Sequence, residues 1–256
     1  MKLSVSFITL AVAAVASART FTVKNSCSYT VWPAIYTQRN PNGTAAPSPD
    51  HATGWSANPS SQVQFSVPDN WTAGRIWGRT ECNFGGSSGP NSCITGGCNG
   101  GLECSKTSGT GVPPASIAEF TLSGGGTTDN YDVSLKDGFN IPMRITNSVG
   151  CDQPTCSSDL NPNCPSPLIV KDSSGKIAGC KSACAANLDP DPNNSPNCCT
   201  GSHDKPATCP SSGVQYYNYF KKPCPATYAY AYDESSGALH YCAASKKADY
   251  TIEFCP

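Results

Sequence analysis

Charged residues are scarce in this sequence: Asp, Glu, Lys and Arg make up 14% of its 256 residues, and the formal net charge is −1. A chain without a basic surplus has no electrostatic footprint for a phosphate backbone or for anionic lipid. We therefore expect neither nucleic acid nor a membrane surface as a partner. Apolar residues at helical spacing are also rare, which argues against a helical bundle and against a parallel α/β sheet.

Motifs typical of metal and cofactor sites are missing as well. The sequence has no His-Glu-x-x-His motif, no phosphate-binding loop and no Cys-x-x-Cys pair. Its three histidines, His51, His203 and His240, are scattered without the spacing of metal ligands. We expect no metal site and no cofactor. Beyond the first residues, no apolar run approaches the length of a membrane anchor.

The features that are present point to secretion. Residues 1–18 begin with a basic residue, continue with an apolar run and end with small residues, which predicts a signal peptide cleaved after Ala18. All 16 cysteines follow this segment, and an even number in an oxidising compartment favours eight disulfides. We expect an extracellular or cell-wall protein, with surface loops and glycosylation at Asn42, Asn70 and Asn193.

Short stretches of alternating apolar and polar residues fill the first part of the mature chain. With 23 Gly and 22 Pro to mark turns, they indicate a mainly β fold, an antiparallel β-sandwich or flattened barrel. The predicted strands cover residues 20–23, 29–32, 62–65, 75–78, 119–122 and 131–135, with a last strand over 250–254. We predict a core domain formed by residues 19–150 and 243–256.

The segment 151–242 differs in composition and is predicted to be a disulfide-rich part. It is rich in cysteine and poor in apolar residues, so covalent bridges must supply the stability that a small core cannot. Short helices are predicted over residues 179–186 and 211–222, the second with a serine at 211 or 212 as its N-cap.

Several segments taken together resemble the thaumatin-like family. They are the stretches NSCSYTVWP (25–33), RIWGRT (75–80), AEF (118–120), YDVS (131–134), GFNIPM (138–143) and FCP (254–256). The resemblance covers essentially the whole mature chain, and it implies a sandwich with disulfide-rich loops and a monomer.

The resemblance also implies a disulfide pairing, which spacing alone leaves open. The implied pairs are Cys27 with Cys255, Cys82 with Cys93, Cys98 with Cys104, Cys151 with Cys242, Cys156 with Cys224, Cys164 with Cys180, Cys184 with Cys198, and Cys199 with Cys209.

A further implication of the resemblance is an acidic cleft between the sandwich and the disulfide-rich part. The positions that match the family's cleft residues are Arg75, Glu119, Asp132, Asp137 and Asp233. Carboxylates accept hydrogen bonds from sugar hydroxyls, and two of them can divide the acid and the base or nucleophile roles at a glycosidic bond. We expect Glu119 as general acid with Asp137 or Asp132 as its partner. Arg75 and Asp233 are expected to bind substrate, and Arg75 to orient the carboxylates.

These residues also have structural interpretations. Glu119 can be a solvated strand residue, and Asp137 can be a turn residue. Asp132 is expected to be exposed, because Val133 and Leu135 alternate with it and point to the core. Arg75 can be an ordinary ion-pair partner.

Two segments depart from the family pattern. Residues 95–98 read Thr-Gly-Gly-Cys instead of Thr-Gly-Asp-Cys, and residues 224–227 read Cys-Pro-Ala-Thr instead of Cys-Pro-Asp-Ala. Tyr228, Tyr230 and Tyr232 would share one face of a strand, where we favour core packing over sugar stacking.

Three functions agree with these features. The first is an endo-β-1,3-glucanase that acts on the glucan of fungal cell walls, for defence or wall remodelling. The second is a protein that binds β-glucan without cutting it. The third is an inhibitor of another secreted hydrolase.

Overall fold

The computed structural model describes residues 18–86, 89–124 and 126–256. The predicted signal peptide lies outside the described residues, apart from Ala18, which begins the first strand. The strands of the described part are β1 (Ala18–Asn25), β2 (Trp32–Thr37), β3 (Gln62–Pro68), β4 (Gly74–Cys82), β5 (Cys93–Thr95), β6 (Ile117–Gly124), β7 (Thr128–Ser134), β8 (Met143–Asn147), β9 (Thr155–Cys156), β10 (Ile169–Lys171), β11 (Ile177–Cys180), β12 (His240–Ala243) and β13 (Tyr250–Phe254). There is one short α-helix among these residues, α1 (Tyr217–Lys221), and 3-10 turns occur at Pro90–Ser92, Asn161–Asn163, Ser166–Leu168, Gly201–His203, Ser211–Gly213, Glu234–Ser236 and Ala244–Lys246.

Two sheets form the centre of the fold. One has the strand order β3-β1-β13-β8-β9, and the other has the order β12-β7-β6-β4-β2, with β5 beside β4. Strands β1 and β13 run parallel, whereas their other neighbours in the sheets are antiparallel. A separate hairpin pairs β10 with β11. Because neither sheet closes on itself in the described residues, the predicted mainly β fold is confirmed in its sandwich form.

Apolar side chains from both sheets meet between them. Alternation places Phe21 of β1, Phe120 of β6 and Ile252 of β13 on the inward faces, each with at most 2% of its surface exposed. The rings of Phe21 and Phe120 make an edge contact with centroids 4.9 Å apart, and Trp71 contacts both rings. Such aromatic pairs add about 0.5–1.5 kcal/mol to the gain from burial.

All eight disulfides implied by the resemblance are confirmed, and together they use all 16 cysteines. The bridge between Cys27 and Cys255 joins positions 228 residues apart in the sequence, next to the parallel pair β1 and β13. Cross-links between distant positions restrict the unfolded chain and so stabilise the fold.

The cysteine-rich segment 151–242 packs on both sheets. Its strand β9 lies at the edge of one sheet, and its strand β12 lies at the edge of the other. Cys156 of β9 forms a disulfide with Cys224, and Cys242 of β12 forms one with Cys151. Both edge strands are therefore cross-linked within the segment. The boundary between a core domain and a disulfide-rich part stays a prediction.

The helix predictions need correction. Residues 179–186 form no helix, because Cys180 ends β11 and exchanges two backbone hydrogen bonds with Phe139, at 2.7 and 2.8 Å between N and O. The helix predicted over 211–222 is limited to α1, and its N-cap is Tyr216 in the left-handed conformation, with φ 59°, rather than a serine. No helix among the described residues is long and apolar enough to cross a bilayer.

Two strand predictions also differ from the structure. The strand predicted to begin at Tyr29 begins at Trp32. Tyr29 lies in a turn, and its carbonyl oxygen accepts a hydrogen bond from Asn25 Nδ2 at 2.9 Å. Tyr228 and Tyr230 lie on no strand and are 5% and 8% exposed. Their burial agrees with the expectation of core packing.

The three sequons lie at the surface. Asn42, Asn70 and Asn193 are all exposed and lie in turns. Their predicted position in surface loops is therefore confirmed, while the attachment of glycans stays a prediction.

A group of charged side chains bridges three neighbouring strands of the first sheet. Glu253 of β13 is 7% exposed and accepts hydrogen bonds from Lys24 of β1, from Arg144 of β8 and from the Ser26 hydroxyl. Burial by itself raises the pKa of Glu253, but these hydrogen bonds outweigh it and lower that pKa to about 2. The carboxylate therefore stabilises the fold in its ionised form.

We predict that Glu253→Gln lowers the free energy of unfolding at pH 7 by about 1–2 kcal/mol, a value discounted because the cations are partly exposed. The native pKa lies below the unfolded one, so this stability is present above the ordinary glutamate pKa and is lost as the pH falls through about 2. Denaturant unfolding between pH 2 and pH 7 measures it, with the exposed Glu103→Gln as matched control. A constant gap between wild type and Glu253→Gln over this range would contradict the prediction.

Candidate functional site

Three of the predicted site residues lie side by side on the second sheet. Arg75 of β4 pairs with Glu119 of β6, and Glu119 pairs in turn with Asp132 of β7. Directly opposite residues on antiparallel strands have Cβ atoms about 4.5–5.5 Å apart and point to the same face. The sheet register therefore brings together a guanidinium and two carboxyl groups that are distant in sequence.

Asp132 is buried, which corrects the prediction that it is exposed. Val133 and Leu135 point to the core as expected and are 0% exposed, yet Asp132 itself is only 7% exposed. The reason is that Tyr228 of the cysteine-rich segment lies against this part of the chain: its N–H donates to Val133 O at 3.0 Å, and its carbonyl accepts from Leu135 N–H at 2.7 Å. The alternation gave the correct face, but a second layer covers it.

A tight turn after β7 adds two more charged residues, Lys136 and Asp137. The turn ends at Gly138, which has φ +103°, and a Cβ there would lie 2.3 Å from Cys180 O, so this position requires glycine. Lys136 Nζ lies 2.8 Å from Glu119 Oε2, and its ammonium also lies over the Tyr228 ring, 5.1 Å from the centroid. The turn thus directs a cation at the central carboxylate.

Glu119 is held between two cations. Arg75 Nε lies 3.1 Å from Glu119 Oε1, on the opposite side of the carboxylate from Lys136. Burial raises the pKa of Glu119, but the charges of Lys136 and Arg75 outweigh burial, so that the pKa lies below its usual value. Glu119 is therefore ionised at neutral pH. Arg75 thus contacts a carboxylate, as its orienting role and an ordinary ion pair both require, and the role itself stays a prediction.

The pKa values of the two aspartates of the cluster, Asp132 and Asp137, are raised instead of lowered. Burial, and then the charge of Glu119, raise the pKa of Asp132 well above its ordinary value. Asp132 Oδ1 is buried and has no hydrogen-bond partner in the described part of the chain. Burial likewise raises the pKa of Asp137, although Arg75 works against it. The cluster therefore combines one carboxylate held ionised with carboxyls that retain a proton more readily.

Two cavities are lined by members of the Glu119–Lys136 ion pair. The first, of about 190 Å³, is lined by Arg75, Glu119 and Asp132 together with residues of β6 and β7. The second, of about 150 Å³, is lined by Lys136 and Asp137 on one side and by residues of the cysteine-rich segment on the other. Members of the acidic cluster thus line two cavities, one of which also touches the cysteine-rich segment.

Asp233 does not join this cluster. It is 1% exposed, and its carboxylate accepts hydrogen bonds from Tyr217 OH at 2.8 Å, from Lys221 Nζ at 3.1 Å and from Ala229 N–H at 2.9 Å. A carboxylate with these partners fixes a loop and is not open to a ligand, so the predicted contact with substrate does not fit its position. Its neighbour Glu234 is exposed, and the charge of Glu234 contributes to the raised pKa of Asp132.

Sequence reasoning missed Lys136 and Tyr228. The signal for Lys136 was a basic residue directly before Asp137, in a segment already singled out for its acidic residues. Tyr228 was treated as a member of a strand face, and no local pattern shows that its ring lies beneath Lys136. In the described residues, no group of three His, Cys, Asp or Glu is placed to hold a metal ion.

Comparison with known sequences identifies the family. The model of the Thaumatin family matches residues 25–256. The chain belongs to the thaumatin family. A pathogenesis-related thaumatin-like protein 3.5 of Cryptomeria japonica is 43% identical to it, over 94% of this chain and 91% of that protein. A glucan endo-1,3-beta-glucosidase of Prunus avium is 36% identical, over 94% of this chain and 92% of that protein.

A solved structure resembles this thaumatin-family chain in fold alone. The laminaripentaose-producing β-1,3-glucanase of Paenibacillus barengoltzii superimposes with a TM-score of 0.52 and 12% sequence identity, over 93% of this chain and 74% of that one. At this identity the two proteins have a fold in common, and nothing about the site follows from the comparison.

We predict that Asp132→Asn makes this thaumatin-family protein more stable at pH 7, by about 1–3 kcal/mol, because a neutral amide replaces a buried carboxyl whose ionisation burial opposes. The native pKa lies above the unfolded one, so the native state is penalised increasingly as the pH rises between the two values, and the penalty is absent below both. The gain should therefore shrink toward pH 3 in thermal unfolding. A loss of stability at pH 7 would show that Asp132 has a partner in solution.

A second prediction concerns Lys136→Met, which keeps most of the side-chain length and removes the charge. The pKa of Glu119 should rise, because the cation that most opposes the effect of burial is gone. Carbon-detected NMR titration of the glutamate carboxyls measures this pKa. Lys106→Met, at an exposed lysine, is the control. An unchanged Glu119 titration in Lys136→Met would contradict the role given to Lys136.

Proposed function

We propose that this chain is a secreted, monomeric endo-β-1,3-glucanase that cuts cell-wall glucan in the acidic cleft. The extracellular or cell-wall location is supported by eight disulfides, which persist in oxidising compartments. The glucan substrate is supported by the name of the Prunus avium relative at 36% identity. The same activity would serve in defence or in remodelling of the producer's own wall.

The observation that carries this proposal is the pair formed by Glu119 and Asp132. Glycoside hydrolysis needs one carboxyl that gives a proton and one carboxylate that faces the positive charge of the transition state. Glu119, between two cations, is the member held ionised, and Asp132, whose Oδ1 is buried without a partner among the described residues, is the member that retains a proton more readily. This reverses the expected roles, because a group whose pKa is lowered is a poor proton donor at neutral pH.

The reaction then follows from these positions. The Asp132 carboxyl gives its proton to the glycosidic oxygen, and the bond from that oxygen to the anomeric carbon breaks. Glu119 stabilises the positive charge that develops on the sugar ring. A water molecule supplies hydroxide to the anomeric carbon, and its remaining proton returns to the Asp132 carboxylate directly or through Asp137. Arg75 and Lys136 position Glu119 and touch no reacting atom in this scheme.

The test is the release of reducing ends from linear β-1,3-glucan. We expect Asp132→Asn and Glu119→Gln each to lower kcat at least about 100-fold, the usual contribution of an acid–base group, while Glu103→Gln leaves it unchanged. In wild type, activity should fall on the alkaline side as Asp132 loses its proton, and this limb should be missing from any residual activity of Asp132→Asn. Full activity in Asp132→Asn would remove Asp132 as the acid.

The rival function is β-glucan binding without cleavage. It is favoured by the two ion pairs of Glu119, which satisfy this carboxylate before any substrate arrives. Retention of wild type on insoluble β-1,3-glucan with no soluble product, and weaker retention of Lys136→Met, would support this function instead. Inhibition of another hydrolase stays a prediction of the sequence.

A further inference from the structure

A cavity of about 700 Å³ lies at the far end of β4 from the acidic cluster. Its walls come from both parts of the chain: Trp32 begins β2, Glu81 is the second-last residue of β4, and Asn161 and Lys176 belong to the cysteine-rich segment. Glu81 is six residues from Arg75 along the strand, a separation of about 20 Å. The volume lies within the range of about 300–1,000 Å³ that is usual for small-molecule sites. We call this space the Trp32 cavity.

Aromatic rings form one wall of the Trp32 cavity. Tyr29 is 45% exposed and Trp32 is half-buried, whereas Trp71 and Trp77 are 0% exposed. Rings with an apolar face and a polar tip suit ligands that alternate C–H faces with hydroxyl groups. These two rings therefore offer a stacking surface at the rim of the cavity.

The opposite wall contains an amide oxygen that needs a donor. Asn161 Nδ2 donates to Asn140 O at 2.9 Å, which fixes the orientation of the amide, since a flipped group would place two acceptors together. Asn161 Oδ1 is then buried with no hydrogen-bond partner among the described residues. Buried acceptors are almost always satisfied, so a hydroxyl group that reaches this atom from the cavity, after a small shift of the side chain, would supply the missing hydrogen bond.

The charges around the cavity indicate the kind of ligand. Glu81 and Asp159 supply two exposed carboxylates, and Lys176 supplies one ammonium group. A phosphate or sulfate would be repelled by the two carboxylates, whereas hydroxyl groups can donate to them and accept from the lysine. Glu81 also has φ +50°, an unfavourable left-handed conformation for a residue with a side chain, of the kind that clusters at binding sites.

We propose that the Trp32 cavity is a second saccharide-binding site, which takes a short neutral chain of hexose units. One ring of the chain stacks on Tyr29 and Trp32, and a hydroxyl group donates to Asn161 Oδ1. Hydroxyls of the next unit reach Glu81 and Lys176. Its binding does not depend on hydrolysis in the acidic cleft, because the cleft residues lie at the other end of β4.

The test is NMR titration of the full chain with three probes: laminarihexaose, cellohexaose and chitohexaose. The readouts are the indole N–H signal of Trp32 and the side-chain NH₂ signals of Asn161, and the indole signals of buried Trp71 and Trp77 are the internal reference. We expect the Trp32 and Asn161 signals to move with at least one probe. Asp132→Asn should leave this response intact, so that failure of the glucanase proposal and failure of this one are distinguishable.

Variants at Tyr29 make the test specific. Tyr29→Ala should weaken the response of the Trp32 signal about tenfold or more, whereas Tyr29→Phe, which keeps the ring, should retain it. Tyr241→Ala removes a tyrosine that is 55% exposed and lies outside the cavity, and it should have no effect on that signal. The proposal is overturned if the Trp32 signal responds to none of the probes, or if Tyr29→Ala responds like wild type.

Discussion

The register of β4, β6 and β7 is the constraint on which the rest of the site depends. Arg75, Glu119 and Asp132 occupy one row across these strands, while Ile76, Ala118 and Val133 occupy the adjacent row on the core face. Since side chains alternate with a period of two, a slip of one residue would place the charges in the core and expose the apolar row. The burial of the apolar row therefore fixes the charged one, and core stability and site geometry have one cause.

The alternation of apolar and polar residues determines how much of the fold and of the site could be predicted from the sequence. The strands around Ile76, Phe120 and Val133 follow from local pattern, because period-2 burial is written in the sequence itself. The disulfide pairing came from family resemblance, since spacing permits many pairings. Contacts between distant segments were beyond local pattern: Tyr228 covers Asp132, and the Asp233 carboxylate turns inward to Lys221. The errors at Asp132 and Asp233 are thus errors of tertiary packing, and β4, β6 and β7 lie where the sequence predicts strands.

The cysteine-rich segment packs through Tyr228 on the charged face of the sheet, and this layer also affects the pKa values of the carboxyl groups there. The layer removes water from Asp132 and Glu119, which penalises both ionised forms, and Lys136 and Arg75 then favour ionisation of Glu119. Two neighbouring carboxyl groups such as Glu119 and Asp132 repel each other when both are ionised. The placement of the cations therefore decides which of them keeps its proton. The same arrangement leaves Asp132 Oδ1 without a partner in the described residues, which destabilises the fold. Asp132 is also the proposed acid, so this loss of stability lies at a residue that the proposed reaction uses.

Strand β4 also relates the two sites that we propose. Arg75 projects from the face that carries the acidic cluster, whereas Thr80 has the parity of Ile76 and reaches the Trp32 cavity beyond the end of the core. Disulfides Cys82–Cys93 and Cys164–Cys180 restrict segments that line the Trp32 cavity, and Cys184–Cys198 restricts a segment that lines the cavity beside Lys136 and Asp137. A ligand that enters either space meets walls that are already ordered, so little conformational entropy is lost on binding. Weak individual contacts to hydroxyl groups can then suffice for recognition of a polymer, provided that two sites on one rigid body act on the same chain.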